Sequence, residues 1–235
     1  MNLNRELAGA TLAHLAALEV HHVIVCAGAR NAPLVTSLLA MVDGSHWRIW
    51  NHFDERAASF FALGLAKKSQ KPTAVITTSG TAVAEMLPAT IEAYYSGIPL
   101  VLVTADRPPS YRGSGAPQAI EQPNIFGPYA PSALDVQKVT DLSLVSKWAR
   151  DEPLHLNVCF EEPSPSDTVE SFDPVDLPAY KAEPKNEDRT SIESFTVNST
   201  GLLIILGELD PEWREPAEEY LSKLVAPIWA EATSG

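Results

Sequence analysis

Two adjacent carboxylates, Asp54 and Glu55, sit within Asn51-His52-Phe53-Asp54-Glu55-Arg56. Upstream, Trp47 to Trp50 reads as a short strand. Downstream, Ala57 to Lys67 reads as a helix with Phe60, Phe61, Leu63 and Leu65 on its apolar side. Acids placed where a strand gives way to a helix lie at the sheet edge where α/β proteins bind ligands. Two chemistries are open to them. One is capping, because a carboxylate favours the positive end of a helix by about 0.3 to 1 kcal/mol. The other is proton handling by Glu55, which needs a partly dry cleft and a partner for its charge or proton.

Other chemistry-bearing residues fall in equivalent places. Thr78-Ser79-Gly80-Thr81 combines small side chains with backbone amides at a helix start. Such a turn holds an anion, admits a flat ring, or simply packs tightly. Arg30, Arg107 and Arg112 lie on loop segments that follow strands. They suit a carboxylate- or phosphate-bearing ligand, or salt bridges to neighbours such as Asp106. Gln118 either orients a ligand or holds its own loop. His52 reads as structural. The histidines show no metal-ligand spacing, so no metal residue is assigned, and no Ser-His-Asp grouping emerges.

The elements that must position these residues alternate. Helical spacing runs from Leu3 to Leu18, and His21 to Cys26 is a β-branched run. Leu34 to Met41 is helical, with Pro33 in its first turn. Further strands are read at Thr73–Thr78, Leu100–Thr104 and Leu154–Phe160, with helices at Ala82–Tyr95 and Thr140–Arg150 and a helical turn near Gln118–Ile120. Short apolar strands alternating with helices predict a doubly wound parallel α/β sheet. Right-handed crossovers then bring Ala27–Pro33, His52–Arg56, Ser79–Thr81 and Ala105–Arg112 to one edge. Residues 1–165 are read as this domain. Residues 166–198, rich in proline and acids, read as a linker. Residues 199–235 supply one strand-helix-strand unit: a buried strand at Gly201–Gly207, a helix at Pro211–Leu224 and a strand at Ala226–Ala230. One such unit cannot bury both faces of a sheet, so a truncated chain or packing on the first domain is expected.

The totals exclude some partners. Seventeen basic against 30 acidic residues give a formal charge of −13, which argues against nucleic acid or an anionic membrane. No apolar run is long enough for a membrane helix, and the N-terminus does not read as a signal peptide. Cys26 and Cys159, both in apolar runs, are expected to be buried and reduced, which fits a cytoplasmic setting.

Six segments occur in the order and spacing of one family: Cys26 to Leu34, Phe53 to Arg56, Ala62 to Lys67, Thr78 to Ala84, Thr104 to Pro109, and Gly115 to Ile120. Over about Leu3 to Phe160, and again from Gly201 to Gly235, the chain resembles the N-terminal part of the thiamine-diphosphate-dependent 2-succinyl-5-enolpyruvyl-6-hydroxy-3-cyclohexene-1-carboxylate synthases of menaquinone biosynthesis (the MenD family). The resemblance implies a pyrimidine-binding domain, then the start of a Rossmann-like middle domain. It implies that Glu55 hydrogen-bonds the aminopyrimidine ring of thiamine diphosphate, with Gly80 and Thr81 also at the cofactor. Arg30, Arg107 and Gln118 match positions that hold two acidic substrates, isochorismate and 2-oxoglutarate. The reaction decarboxylates 2-oxoglutarate and adds the resulting carbanion to isochorismate. Mg²⁺ and the diphosphate belong to a C-terminal domain in a homo-oligomer, dimer or tetramer. No G-D-G motif occurs here, so this chain alone is expected to bind no cofactor tightly and to be inactive.

The family's P-G-S-R-S loop is Ala27-Gly28-Ala29-Arg30-Asn31 in this chain, and the asparagine of its G-A-N-Q is Pro117. These departures keep a second reading open, a diverged ligand- or partner-binding domain without chemistry. A third reading is an unrelated doubly wound receiver or nucleotide domain.

Overall fold

The computed structural model describes residues 2–41, 47–173, 175, 201, 203–207, 209 and 211–231. The chain divides into two compact units, Met1–Ala182 and Glu183–Gly235.

The first unit opens with α1 (Leu3–Ala17), capped by Asn2, whose side chain accepts the Arg5 amide. It continues through β1 (His22–Val25), α2 (Ala32–Met41), β2 (Arg48–Asn51), α3 (Glu55–Ser69) and β3 (Thr73–Thr77). Two short helices follow, α4 (Thr81–Ala84) and α5 (Leu87–Tyr95), then β4 (Leu100–Asp106), β5 (Ser132–Val136) and β6 (Leu154–Cys159). The six strands are all parallel, in the order β2-β1-β3-β4-β6-β5. This is the doubly wound sheet that the alternating pattern predicts.

Both faces are apolar, and strand alternation divides them. Val23, Val25, Ala74, Ile76, Val101 and Val103 join one core cluster with α1 and α2. Ile24, Val75, Leu100 and Leu102 join the other with α3 and α5. The chain runs from β1 outward to β2 and then returns to β3 on the other side of β1. That reversal opens a crevice above the carboxyl ends of β1 and β3.

Several local expectations change. The single helix over Ala82–Tyr95 is two, because Pro88 has no amide hydrogen to offer Ala84. Thr140–Arg150 is a 3₁₀ helix, Val139–Lys147. Leu142, Val145 and Trp148 are buried at intervals of three, the period at which 3₁₀ side chains align. A 3₁₀ turn forms at Pro109–Tyr111, and Gln118 lies in a non-helical turn. β5, absent from the sequence reading, is a half-buried edge strand.

After β6 the chain stays on the first unit. Asn4 bonds the main chain of Glu161 in both directions, and Asp167 accepts from Asn2 (2.7 Å) and Asn4 (2.9 Å). Burial alone would raise the Asp167 carboxyl, but these bonds and those from Ser164 hold it below the usual carboxylate range. Val169 is buried, its amide donating to Ser37. The proline-rich stretch 176–198 lies outside the described residues.

The second unit is a strand-helix-strand: β7 (Ile204–Leu206), α6 (Pro211–Leu221) and β8 (Ile228–Ala230), with β7 and β8 parallel. The strand expected to be buried at Gly201–Gly207 is instead open. Ile205 is 68% exposed and Trp229 in β8 is 67% exposed, because two strands and one helix leave a sheet face uncovered. No helix among the described residues is long and apolar enough to cross a membrane.

Candidate functional site

The loops after β1, β2, β3 and β4 meet at the crevice. Asp54 takes the capping role, its Oδ1 accepting the Ala57 amide at 2.7 Å, so α3 does not need Glu55 as its cap. Glu55 starts the first turn of α3, partly buried. It follows β2, yet its Oε1 meets the Thr77 hydroxyl at the end of β3, 3.5 Å away. The carboxylate therefore reaches across the end of β1. Burial, then the nearby Glu55 and Asp54 charges, push the Cys26 thiol at that end up to about 12. The thiol is protonated and unreactive, and both cysteines are free and buried. His52 packs its ring on Phe61, the structural role read from sequence.

Gly28 and Gly80 make the close approaches. A Cβ on Gly28 would lie 2.5 Å from Thr78 Cβ, so the β1 and β3 loops touch only because Gly28 has no side chain. Gly80 sits at φ 87°, and a Cβ there would meet Gln118 Cα and Cβ at 3.1 Å. Gln118 is itself at φ 57° and exposed. Thr81 is exposed at the start of α4. The Gly80 amide, expected to face a ligand, donates to Gln122 Oε1 at 3.1 Å. Arg107 Nη1 reaches Ser79 Oγ at 3.4 Å, and its main-chain amide donates to Asp106.

The other two arginines are committed elsewhere. Arg112 clamps Asp135 with bonds of 2.6 and 2.9 Å and approaches Asp106 at 3.5 Å. The bond to Asp135 raises the Arg112 pKa. Asp135 in turn is held below its ordinary value: burial opposes ionisation, but bonds from Arg112, Asn157 and Gln137 outweigh it. Arg30 is buried. Its Nη1 donates to the carbonyls of Phe160 (3.3 Å) and Glu161 (2.9 Å), and its Nη2 to Glu162 (2.9 Å). Asn31, fully buried, accepts the Gly28 amide and donates to the Cys26 carbonyl, so it builds its own loop.

The structure thus gathers Glu55, Gly80, Gln118 and Arg107 along one edge, through Thr77, Ser79 and the Gly80–Gln118 contact, and turns Arg30 toward the exit of β6. Among the described residues no group of three or more His, Cys, Asp or Glu is placed to hold a metal ion. A family model described as the thiamine pyrophosphate enzyme, N-terminal TPP binding domain, matches residues 5–125. The chain belongs to this family.

Several curated relatives of this thiamine pyrophosphate enzyme domain carry the name 2-succinyl-5-enolpyruvyl-6-hydroxy-3-cyclohexene-1-carboxylate synthase. The protein so named in Akkermansia muciniphila is 44% identical over 221 residues, covering 90% of this chain and 40% of the relative. That of Bdellovibrio bacteriovorus is 39% identical over 98% of this chain and 44% of its own length. That of Corynebacterium diphtheriae is 45% identical over 97% and 42%. The chain therefore resembles an N-terminal portion of these synthases and spans less than half of their length.

The family match ends just past Gln122, so the loops bearing Arg30, Glu55, Gly80, Thr81, Arg107 and Gln118 all fall inside it. Sequence reasoning missed Gln122, Asn157 and Asp135. One signal was present. His155 and Asn157 are polar residues two apart in the apolar run LHLNVCF, which places them on the same face of a buried strand.

Proposed function

We propose that this chain is the pyrimidine-binding part of a thiamine-diphosphate-dependent synthase of menaquinone biosynthesis, with Glu55 as its proton-handling carboxylate. The observation that carries the reading is the position of Glu55. It lies partly buried at the strand reversal, relieved of capping by Asp54, with a 3.5 Å contact from Thr77 as its side-chain partner among the described residues. A carboxylate so placed fits the ring nitrogen of an aminopyrimidine, which needs one acidic partner in a closed cleft. Gly80 packs directly against the main chain of Gln118 with no side chain between them, which holds the β3 turn and the Gln118 loop together at the site.

Thiamine diphosphate, when bound, would supply a ring carbon that is nucleophilic once its proton is removed, and an electron sink for the decarboxylation of a 2-oxo acid. Glu55 holds the proton shared with the pyrimidine ring. On this reading Arg107, Gln118 and Arg30 bind the carboxylates of 2-oxoglutarate and isochorismate, whose union is the reaction. Mg²⁺ and the diphosphate are assigned to a second domain in a homo-oligomer, and the cytoplasm to the whole.

The test is CO₂ release from 2-oxoglutarate by the complete protein with thiamine diphosphate, Mg²⁺ and isochorismate. Glu55→Gln nearly keeps the shape and is expected to lower turnover by about a hundredfold or more. Unchanged turnover would overturn the role. The chain by itself is expected to release no CO₂ in the same assay. The engagement of Arg30 by main-chain carbonyls and Glu162 favours the second reading, a ligand-binding domain without chemistry. That reading gains if the complete protein binds thiamine diphosphate without releasing CO₂.

A further inference from the structure

Beneath the candidate site runs a closed chain of buried hydrogen bonds. Gln122 is fully buried. Its Oε1 accepts the Gly80 amide at 3.1 Å, while its Nε2 donates to the Ala105 carbonyl at 3.1 Å and to Asn157 Oδ1 at 2.8 Å. Asn157 Nδ2 donates to Asp106 at 3.1 Å and to Asp135 at 2.8 Å, and Arg112 closes the chain on Asp135. Both hydrogens of each amide are used. Neither amide can turn over without setting N–H against N–H or oxygen against oxygen, so the orientation is fixed.

The Gly80 turn depends on this chain. Gly80 precedes α4 with no side-chain cap, and its backbone adopts a left-handed φ against the main chain of Gln118. Gln122 lies four residues past Gln118 and grips Gly80 from the same loop. One side chain thereby ties together the β3 turn, the end of β4, the Gln118 loop and β6.

We propose that Gln122 is a positioning residue that locks the Gly80 turn and the Gln118 loop into one wall of the site, without touching a ligand itself. The functional part of this inference rests on the reading of the site given above; the structural part does not. The chemistry at Gln122 is specific: a neutral group that accepts once and donates at least once. Ionised glutamate would set an anion against the Ala105 carbonyl and Asn157 Oδ1. Protonated glutamate would restore the acceptor for Gly80 and one donor for Asn157. Methionine would keep the volume and remove every bond.

The experiment uses the complete protein with Gln122→Met and Gln122→Glu. The first readout is amide hydrogen exchange, which requires no activity. Gln122→Met is expected to speed exchange at Ser79–Thr81 by about tenfold or more while β4 stays protected. The second is the ratio of variant to wild-type kcat for CO₂ release between about pH 5 and 8, the range to which burial moves a carboxyl. For Gln122→Glu this ratio is expected to be depressed about tenfold or more at the upper end and to climb as pH falls. Unchanged exchange at Ser79–Thr81, or a ratio flat with pH, would overturn the proposal. If the methionine variant fails to fold, the glutamate variant decides. Wild-type protein without turnover would count against the proposed reaction, and exchange in Gln122→Glu across the same pH range would still decide the role of Gln122.

Discussion

Gly28→Ala tests most directly how the site is assembled. A Cβ built on Gly28 falls 2.5 Å from Thr78 Cβ and 2.8 Å from both Thr78 Cγ2 and Oγ1. Two of these atoms can rotate away, but Thr78 Cβ is fixed to the backbone, so relief requires the β1 and β3 loops to separate. Overpacking of this kind costs about 3 kcal/mol, the upper part of its usual range, because no side-chain rotation relieves it. For a unit of this size that is a fall in Tm of about 6 to 12 °C. Thermal unfolding followed by circular dichroism measures it. The partner substitutions separate contact from accident. Thr78→Ala keeps the offending Cβ and is expected to recover little in the double variant, whereas Thr78→Gly removes all three atoms and is expected to recover most of the loss. A Gly28→Ala protein melting within about 1 °C of the parent would refute the reasoning, as would equal rescue by alanine and glycine at position 78.

The remaining predictions are briefer. Asn31→Ala strands the buried Cys26 carbonyl and the part-buried Gly28 amide; a loss of about 1 to 3 kcal/mol in urea unfolding is expected, the cost of one buried unsatisfied group. Burial depresses the His155 pKa from 6.5 to about 3, so the unfolded chain takes up a proton that the folded chain refuses. Stability from this source is complete above the unfolded pKa and falls with pH toward the folded one, by at most about 1.4 kcal/mol per pH unit. His155→Asn should flatten that part of the stability–pH curve, and an unchanged slope would count against it. Glu162→Gln removes the acid on Arg30 Nη2, where the glutamate side chain is 85% exposed. The change in Tm is expected to be small, because such pairs are worth about 0 to 1 kcal/mol. The KM for 2-oxoglutarate in the complete protein is expected to fall as Arg30 is released to an acidic ligand, and a rise would oppose that role for Arg30.

The sheet was legible because β1, β3, β4 and β6 are continuous β-branched or leucine-rich runs, buried on both faces. β5 was not, because Ser132-Ala133-Leu134-Asp135-Val136 is an edge strand, mostly half-buried, with an acid in its middle. Glu55, Gly80, Arg107 and Gln118 were legible as candidates because strand-to-helix loops of a parallel sheet share an edge whatever their sequence separation. The frame beneath them was not. Gln122 and Asp135 resemble solvent-facing polar residues until β4, β5 and β6 are laid side by side. Asn157 is itself visible within an apolar run, but its partners are not. The partner of Arg112 shows the same limit. Asp106, six residues away, was the neighbour visible in sequence, yet the bidentate partner is Asp135 on an unpredicted strand.

The three arginines, alike in sequence, end in three electrical states. Arg112 is neutralised by Asp135 and Asp106 and braces the frame. Arg30 is oriented through Nη1 by two carbonyls, which fix its plane without cancelling its charge, and among the described residues an exposed glutamate meets Nη2. Arg107 contacts a neutral hydroxyl at 3.4 Å. In a chain of formal charge −13, long-range attraction of an acidic ligand is not available, so binding must come from short contacts inside the crevice, where screening by salt is weaker. A fully paired cation would offer little there, and an unpaired one would be costly to bury. On the proposed reading, Arg107, placed by a neutral hydroxyl, and Arg30, placed by two carbonyls and an exposed glutamate, are the cations that an incoming carboxylate would meet.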